Sequence, residues 1–214
     1  MASTTAKLQI WGRANSVNVQ KVLWCCHELG LDYDRIDAGM QFGRTTDADY
    51  LAMNPNSRVP TLVHGDFVLW ESNSIMRYLV LQFAPGSTLY PSSPQPRAAM
   101  ERWLDWQLST LQPAERIVFW GLVRTPLAER DMAALQKATD TAGSLWQMID
   151  THLADRSFLE SGAFTLADIS LGCYARRWFG VEGVNKPALP NLERWFAGLA
   201  PRDGFQRFLT QPLT

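Results

Sequence analysis

Residues 58–79, RVPTLVHGDFVLWESNSIMRYL, decide the fold. A proline restricts the residue before it to extended conformations, so Val59 reads as an extended backbone edge. Thr61–Val63 and Val68–Trp70 are short apolar runs, and Gly65-Asp66 between them is a tight-turn pair; together they predict a β-hairpin. The second strand runs directly into Glu71-Ser72. Ser72 suits a helix N-cap, and the apolar spacing after it predicts a helix to about Phe83. This order sets the amino end of a helix beside an extended edge. Free N–H groups and the helix dipole make such an end a site for an anionic group.

Working outward, Leu8–Trp11 is a short apolar strand ended by Gly12. Ala14–Asn18 is polar and turn-like. Val19, Val22, Leu23, Cys26 and Leu29 then recur at a helical period, with Gly30 as the C-cap. Residues 31–37 alternate and predict a second strand. Residues 38–57 are mostly loop, with a short helical piece near Asp47–Met53. The first part of the chain is therefore β-α-β, a loop, then β-β-α. Its first unit requires a parallel strand pair with a right-handed crossover.

Downstream, residues 85–96 concentrate proline, serine and glycine and read as a linker between a domain at 1–84 and another at 97–214. No strand pattern follows. Apolar residues at helical spacing over 97–124 and 129–154 predict two long helices broken at Pro126. Thr165 and Asp168 fit a capping box. Pro190 and Pro201 open two further short helices.

The bulk numbers narrow the function. Apolar residues make up 46% of the 214, enough for one large or two small cores. The formal net charge is -1 and no basic run occurs, which disfavours nucleic acid and anionic membrane as partners. The amino terminus lacks an apolar core of signal-peptide length, and no segment approaches the ~18 apolar residues of a membrane helix, so a cytoplasmic location is expected. Cys25, Cys26 and Cys173 form neither a disulfide framework nor a C-x-x-C pair, and burial is the expected fate of the adjacent two. His27, His64 and His152 are too scattered for a metal site.

NPNSRVPTLVHGDFVLWESNSIMRYL at 54–79 and FTLADISLG at 164–172 carry a resemblance. The first is similar to the N-P-x-x-x-V-P and E-S-x-x-I glutathione signature of the cytosolic glutathione transferases. The second is similar to that family's folding motif. The resemblance implies an α/β thioredoxin-like N-terminal domain plus an all-α C-terminal helical bundle, with glutathione as co-substrate and no metal. It also implies a homodimer and a small electrophilic or disulfide substrate.

Glutathione carries two carboxylates, an ammonium and a thiol. Val59 can pair its N–H and C=O with an extended peptide, and the resemblance implies that Pro60 is cis. Ser72 and the helix it opens suit a carboxylate, and Glu71 suits the ammonium. The bland alternative is a cap and a solvated acid. Arg58 can hold the glycyl carboxylate through its guanidinium fork, or be an exposed loop residue.

A thiol with a pKa near ~8.5 is mostly protonated at neutral pH, so the site must favour the thiolate. The family supplies Tyr, Ser or Cys for this. The loop GRANSVNVQK at 12–21 has no Tyr or Cys. SVNVQK resembles the T-P-N-G-x-K segment of the bacterial nu-like class, which transfers the two sulfur contacts to Ser16 and Asn18. Ser16 also suits the N-cap of the helix. For the second substrate, Arg13, Trp106, Phe119 and Trp120 are candidates, with Arg124, Trp178 and Phe179; core packing is the competing role for each aromatic. Two other activities fit the same residues: glutathione-dependent disulfide or peroxide reduction, and a non-catalytic binding module.

Overall fold

The computed structural model describes residues 7–160 and 162–214. The chain divides into two compact units, Met1–Pro85 and Gly86–Thr214.

In the first unit β1 (Leu8–Trp11), β2 (Tyr33–Ile36), β3 (Thr61–His64) and β4 (Phe67–Trp70) form one sheet in the order β2-β1-β3-β4. β1 and β2 are parallel, as a helical crossover demands, and the other pairs are antiparallel. Gly65 sits at φ +61, the left-handed backbone that the first position of the hairpin turn needs. The registers matter for function. Trp11 pairs with Ile36 and with Thr61, and Thr61 pairs with Trp70. The residues that follow β1, β2 and β4, and those that precede β3, therefore emerge at one end of the sheet.

The helix α1 (Val17–Glu28) and the helix α3 (Ser72–Phe83) pack on each other. Ile10 and Leu62 from the sheet, Val19, Val22, Leu23 and Cys26 from α1, and Ile75, Met76 and Leu79 from α3 are buried. α1 ends in a Schellman motif: Leu31 N–H donates to the Cys26 carbonyl and Gly30 N–H to that of His27, with Gly30 at φ +64. The short helix α2 (Ala48–Met53) falls where the periodicity puts it.

The second unit is helical throughout. Its first long segment is not one regular helix. α4 (Pro94–Trp106), opening inside the stretch read as linker, and α5 (Gln112–Phe119) are joined by a π-helical turn at Gln107–Leu111, and a second π turn, Trp120–Arg124, follows α5. Pro113 explains the first interruption, because it has no N–H to donate to the carbonyl one turn back. The chain turns at Thr125-Pro126 and continues as α6 (Met132–His152), α7 (Leu166–Gly180), α8 (Pro190–Leu199) and α9 (Asp203–Leu209). Asp168 does more than cap α7. Its buried carboxylate accepts Thr165 N–H at 2.9 Å, Thr165 Oγ1–H at 3.0 Å, Leu159 N–H at 3.0 Å and Trp195 Nε1–H at 2.9 Å, tying three segments together. Among the described residues, no helix is long and apolar enough to cross a membrane.

Candidate functional site

The end of the sheet defined by Trp11, Thr61 and Trp70 gathers the first unit's sequence-derived candidates. After β1 the chain must turn sharply into α1. Gly12 permits this at φ +152, where a Cβ would lie 2.5 Å from Val19 Cγ2 and 3.1 Å from Val59 Cβ. The turn into α1 and the Val59-Pro60 segment are therefore in van der Waals contact across Gly12. Gly39, just after β2, repeats the device: a Cβ there would lie 3.3 Å from Arg13 Nη1 and 3.4 Å from Val59 Cγ1. Neither glycine was singled out from the sequence as a site residue. Their signal, a glycine within a few residues of a strand's end, is shared with ordinary turns.

Ser16 is the N-cap of α1 and is buried. Its carbonyl accepts Gln20 N–H at 2.8 Å, and its hydroxyl makes no capping bond. That hydroxyl is not committed to the helix. Asn18 is half-buried in the first turn, one residue beyond Val17. The N–H groups of this turn precede the first intrahelical bond and carry the positive end of the helix dipole. Cys25 and Cys26 lie deeper in the same helix and are fully buried; burial pushes the Cys26 thiol up to about 12 and that of Cys25 well above its ordinary value. Neither is a thiolate at neutral pH.

The Val59-Pro60 peptide bond is cis. Val59 is half-buried and Pro60 buried. Among the described residues, no hydrogen bond engages the Val59 N–H or C=O. Arg58 is exposed at its side chain, but its carbonyl is held from below by Tyr50 and Asn54. These two buried residues are absent from the sequence-derived site, because their partner lies four to eight positions away and only the fold brings them to it.

At the end of β4 the structure corrects one expectation. Ser72 is not the N-cap of α3 but its first residue; Glu71 is the cap, at φ +72, and its carbonyl accepts Ile75 N–H at 2.9 Å. A non-glycine residue in this region costs about 1–3 kcal/mol and persists only where surrounding structure demands it. The bent backbone ends β4 and starts α3 within one residue. Glu71 is exposed, and among the described residues no hydrogen bond or ion pair engages its carboxylate; Ser72 is buried beside it.

Apart from Arg13, the remaining candidates lie in the second unit. Phe119 and Trp178 are buried; the Arg177 guanidinium sits 3.8 Å from the Phe119 ring centroid. Trp106 is half-buried and meets Trp103 edge-to-face at 5.7 Å. Trp120 is 40% exposed, with Arg116 at 5.4 Å and Arg124 at 4.6 Å over its ring. Phe179 meets Phe196 with tilted rings at 5.2 Å. Arg13 lies in the first unit, against Gly39.

Comparison with known proteins agrees with this geometry. The model of the glutathione S-transferase N-terminal domain matches residues 6–80, and that of the C-terminal domain matches residues 132–198. The chain belongs to the glutathione S-transferase family. It is 40% identical to glutathione S-transferase GstB of Escherichia coli K12, over 97% of this chain and 100% of that one. It is 31% identical to glutathione S-transferase 3 of Zea mays, over 94% and 93% of the two chains. Among solved structures, the theta-class glutathione S-transferase of Xanthomonas axonopodis pv. citri, with glutathione bound, superposes with a TM-score of 0.92. It shares 45% identity over 98% of this chain and 100% of the other.

Proposed function

We propose that the chain binds glutathione along Val59, ionises its thiol at the first turn of α1 and delivers the thiolate to a small electrophile. The backbone of the tripeptide pairs with the N–H and C=O of Val59. Its γ-glutamyl carboxylate meets Ser72 and the opening N–H groups of α3, and its ammonium meets Glu71. Arg58, exposed at the mouth of the same edge, meets the glycyl carboxylate. The sulfur lies at Ser16 and Asn18. The Ser16 hydroxyl and Asn18 amide donate to the thiolate, and the dipole of α1 adds to them, so the thiol loses its proton more readily than in water. The protein supplies proximity and charge stabilisation, and glutathione is the nucleophile.

One observation carries this reading most directly: the Gly12 contact, which packs the unpaired Val59 edge against the turn that leads to Ser16. The electrophile and a homodimeric assembly belong to the same proposal. The test is steady-state turnover of glutathione with an aromatic chloride and, separately, with its mixed disulfide with hydroxyethanethiol. Conjugation of the chloride is expected. Turnover of the disulfide alone assigns a reductase, and saturable glutathione binding without either turnover assigns a binding module.

A further inference from the structure

We propose that Tyr50, Asn54 and Thr61 form a clamp that aims the glutathione-docking edge, which makes them positioning residues for the transferase reaction. The inference rests on reading Val59 as the backbone dock. Tyr50 comes from α2, Asn54 follows the end of that helix, and Thr61 opens β3. Tyr50 Oη–H donates to the Arg58 carbonyl at 2.6 Å, and Asn54 Nδ2–H donates to the same oxygen at 2.8 Å. Thr61 Oγ1 lies 2.9 Å from Tyr50 Oη and 3.1 Å from Asn54 Nδ2. The three residues are 1%, 2% and 0% exposed. Asn54 is itself held, since its Oδ1 accepts Asn56 N–H at 3.1 Å.

The consequence follows from peptide geometry. A carbonyl oxygen has two lone pairs, and here two buried donors converge on one such oxygen. The Arg58 C=O and the Val59 N–H belong to one planar trans peptide, so they point in opposite directions. Fixing the carbonyl inward fixes the Val59 N–H outward. Thr61 anchors the chain on the far side of Pro60, so the edge is pinned at both ends. The hub also reaches the thiol end of the site: the Tyr50 ring meets Trp11 edge-on at 6.0 Å, and Trp11 immediately precedes Gly12. Burial raises the Tyr50 phenol above its ordinary value, against the opposing bonds from Thr61 and Asn54, so it remains a donor at neutral pH.

The test uses the full chain and glutathione as the probe. Tyr50→Phe keeps the ring and removes only the hydroxyl; Asn54→Ala removes the second donor. Each is expected to raise the glutathione Kd by calorimetry, and the glutathione KM, by about tenfold, the loss of one buried hydrogen bond. The kcat at saturating glutathione and the KM for an aromatic chloride are expected to stay within about twofold. Thr61→Val serves as a further variant should either of the others fail to fold, with a Kd rise of about threefold. Folded variants that bind glutathione like the parent, with only a lower melting midpoint, overturn the clamp and leave the Val59 dock standing. A parent chain with no saturable heat of glutathione binding overturns both.

Discussion

Ser16 and Asn18 flank the first turn of α1, where the proposed thiolate would sit. In the proposed site each donor would favour the thiolate over the thiol and so lower the sulfur's pKa, and removing one would raise it towards the ~8.5 of a free thiol. Ser16→Ala and Asn18→Ala are each expected to cost about tenfold in kcat/KM near pH 7, equivalent to about one pKa unit. The deficit should close as pH rises past the free-thiol value, because the ligand then ionises without help. A loss independent of pH contradicts this role. Asn18→Ala is expected to cost at least as much as Ser16→Ala. Gly12 makes a different prediction. A methyl group there would lie 2.5 Å from Val19 Cγ2, at a φ that side chains rarely adopt. Gly12→Ala should lower the unfolding free energy by roughly 2 kcal/mol or more and weaken glutathione binding as well, read from urea midpoints and calorimetry. Unchanged values for both contradict the contact that joins the two halves of the site.

Among the elements, α5 carries a buried acid. Glu115 is buried beside the Arg177 guanidinium and the Trp146 indole N–H, the two groups that favour its ionised form. Burial pushes it up to about 8, with the Arg177 charge opposing. A carboxyl raised on folding binds its proton more tightly in the native state than when unfolded. Its presence therefore costs no ionisation energy below the unfolded pKa, and stability falls as pH rises from there towards about 8. Glu115→Gln should be more stable than the parent by about 1–3 kcal/mol at pH 8, with the gap shrinking towards pH 4.5. A parent whose urea midpoint matches that of the variant at every pH contradicts it.

The elements also show what local chemistry reveals and what it hides. The hairpin at Gly65-Asp66, the Gly30 helix stop and the Thr165–Asp168 box were legible because each is settled by residues within a few positions of one another. The cap of α3 was misplaced by one residue. Ser72 has the better capping side chain, but the left-handed backbone of Glu71 ends the strand first. The first π turn escaped because apolar spacing does not register a missing hydrogen bond at Pro113. Tyr50 and Asn54 escaped because the oxygen they hold is brought to them by the path of the loop between α2 and β3.

At the scale of the whole molecule, two compact units divide near Pro85, and the first holds every group proposed to touch glutathione. The second unit's contribution was the least legible. Phe119 and Trp120 are adjacent and equally apolar in sequence, yet one is buried and the other 40% exposed, a difference that only helix packing decides. Glutathione should stabilise the folded chain by mass action, by about 2.7 kcal/mol at a hundredfold excess over its Kd, and so raise the melting midpoint. Val59→Pro, which removes the docking N–H, should abolish most of that rise; a full rise in this variant contradicts the dock. If the first turn of α1 makes the bound sulfur a better acid, titration of thiolate ultraviolet absorbance in the enzyme–glutathione complex will show it. Bound glutathione is expected to ionise at least one unit below the ~8.5 of a free thiol; ionisation at the solution value, in a saturated complex, would rule out thiolate stabilisation by α1.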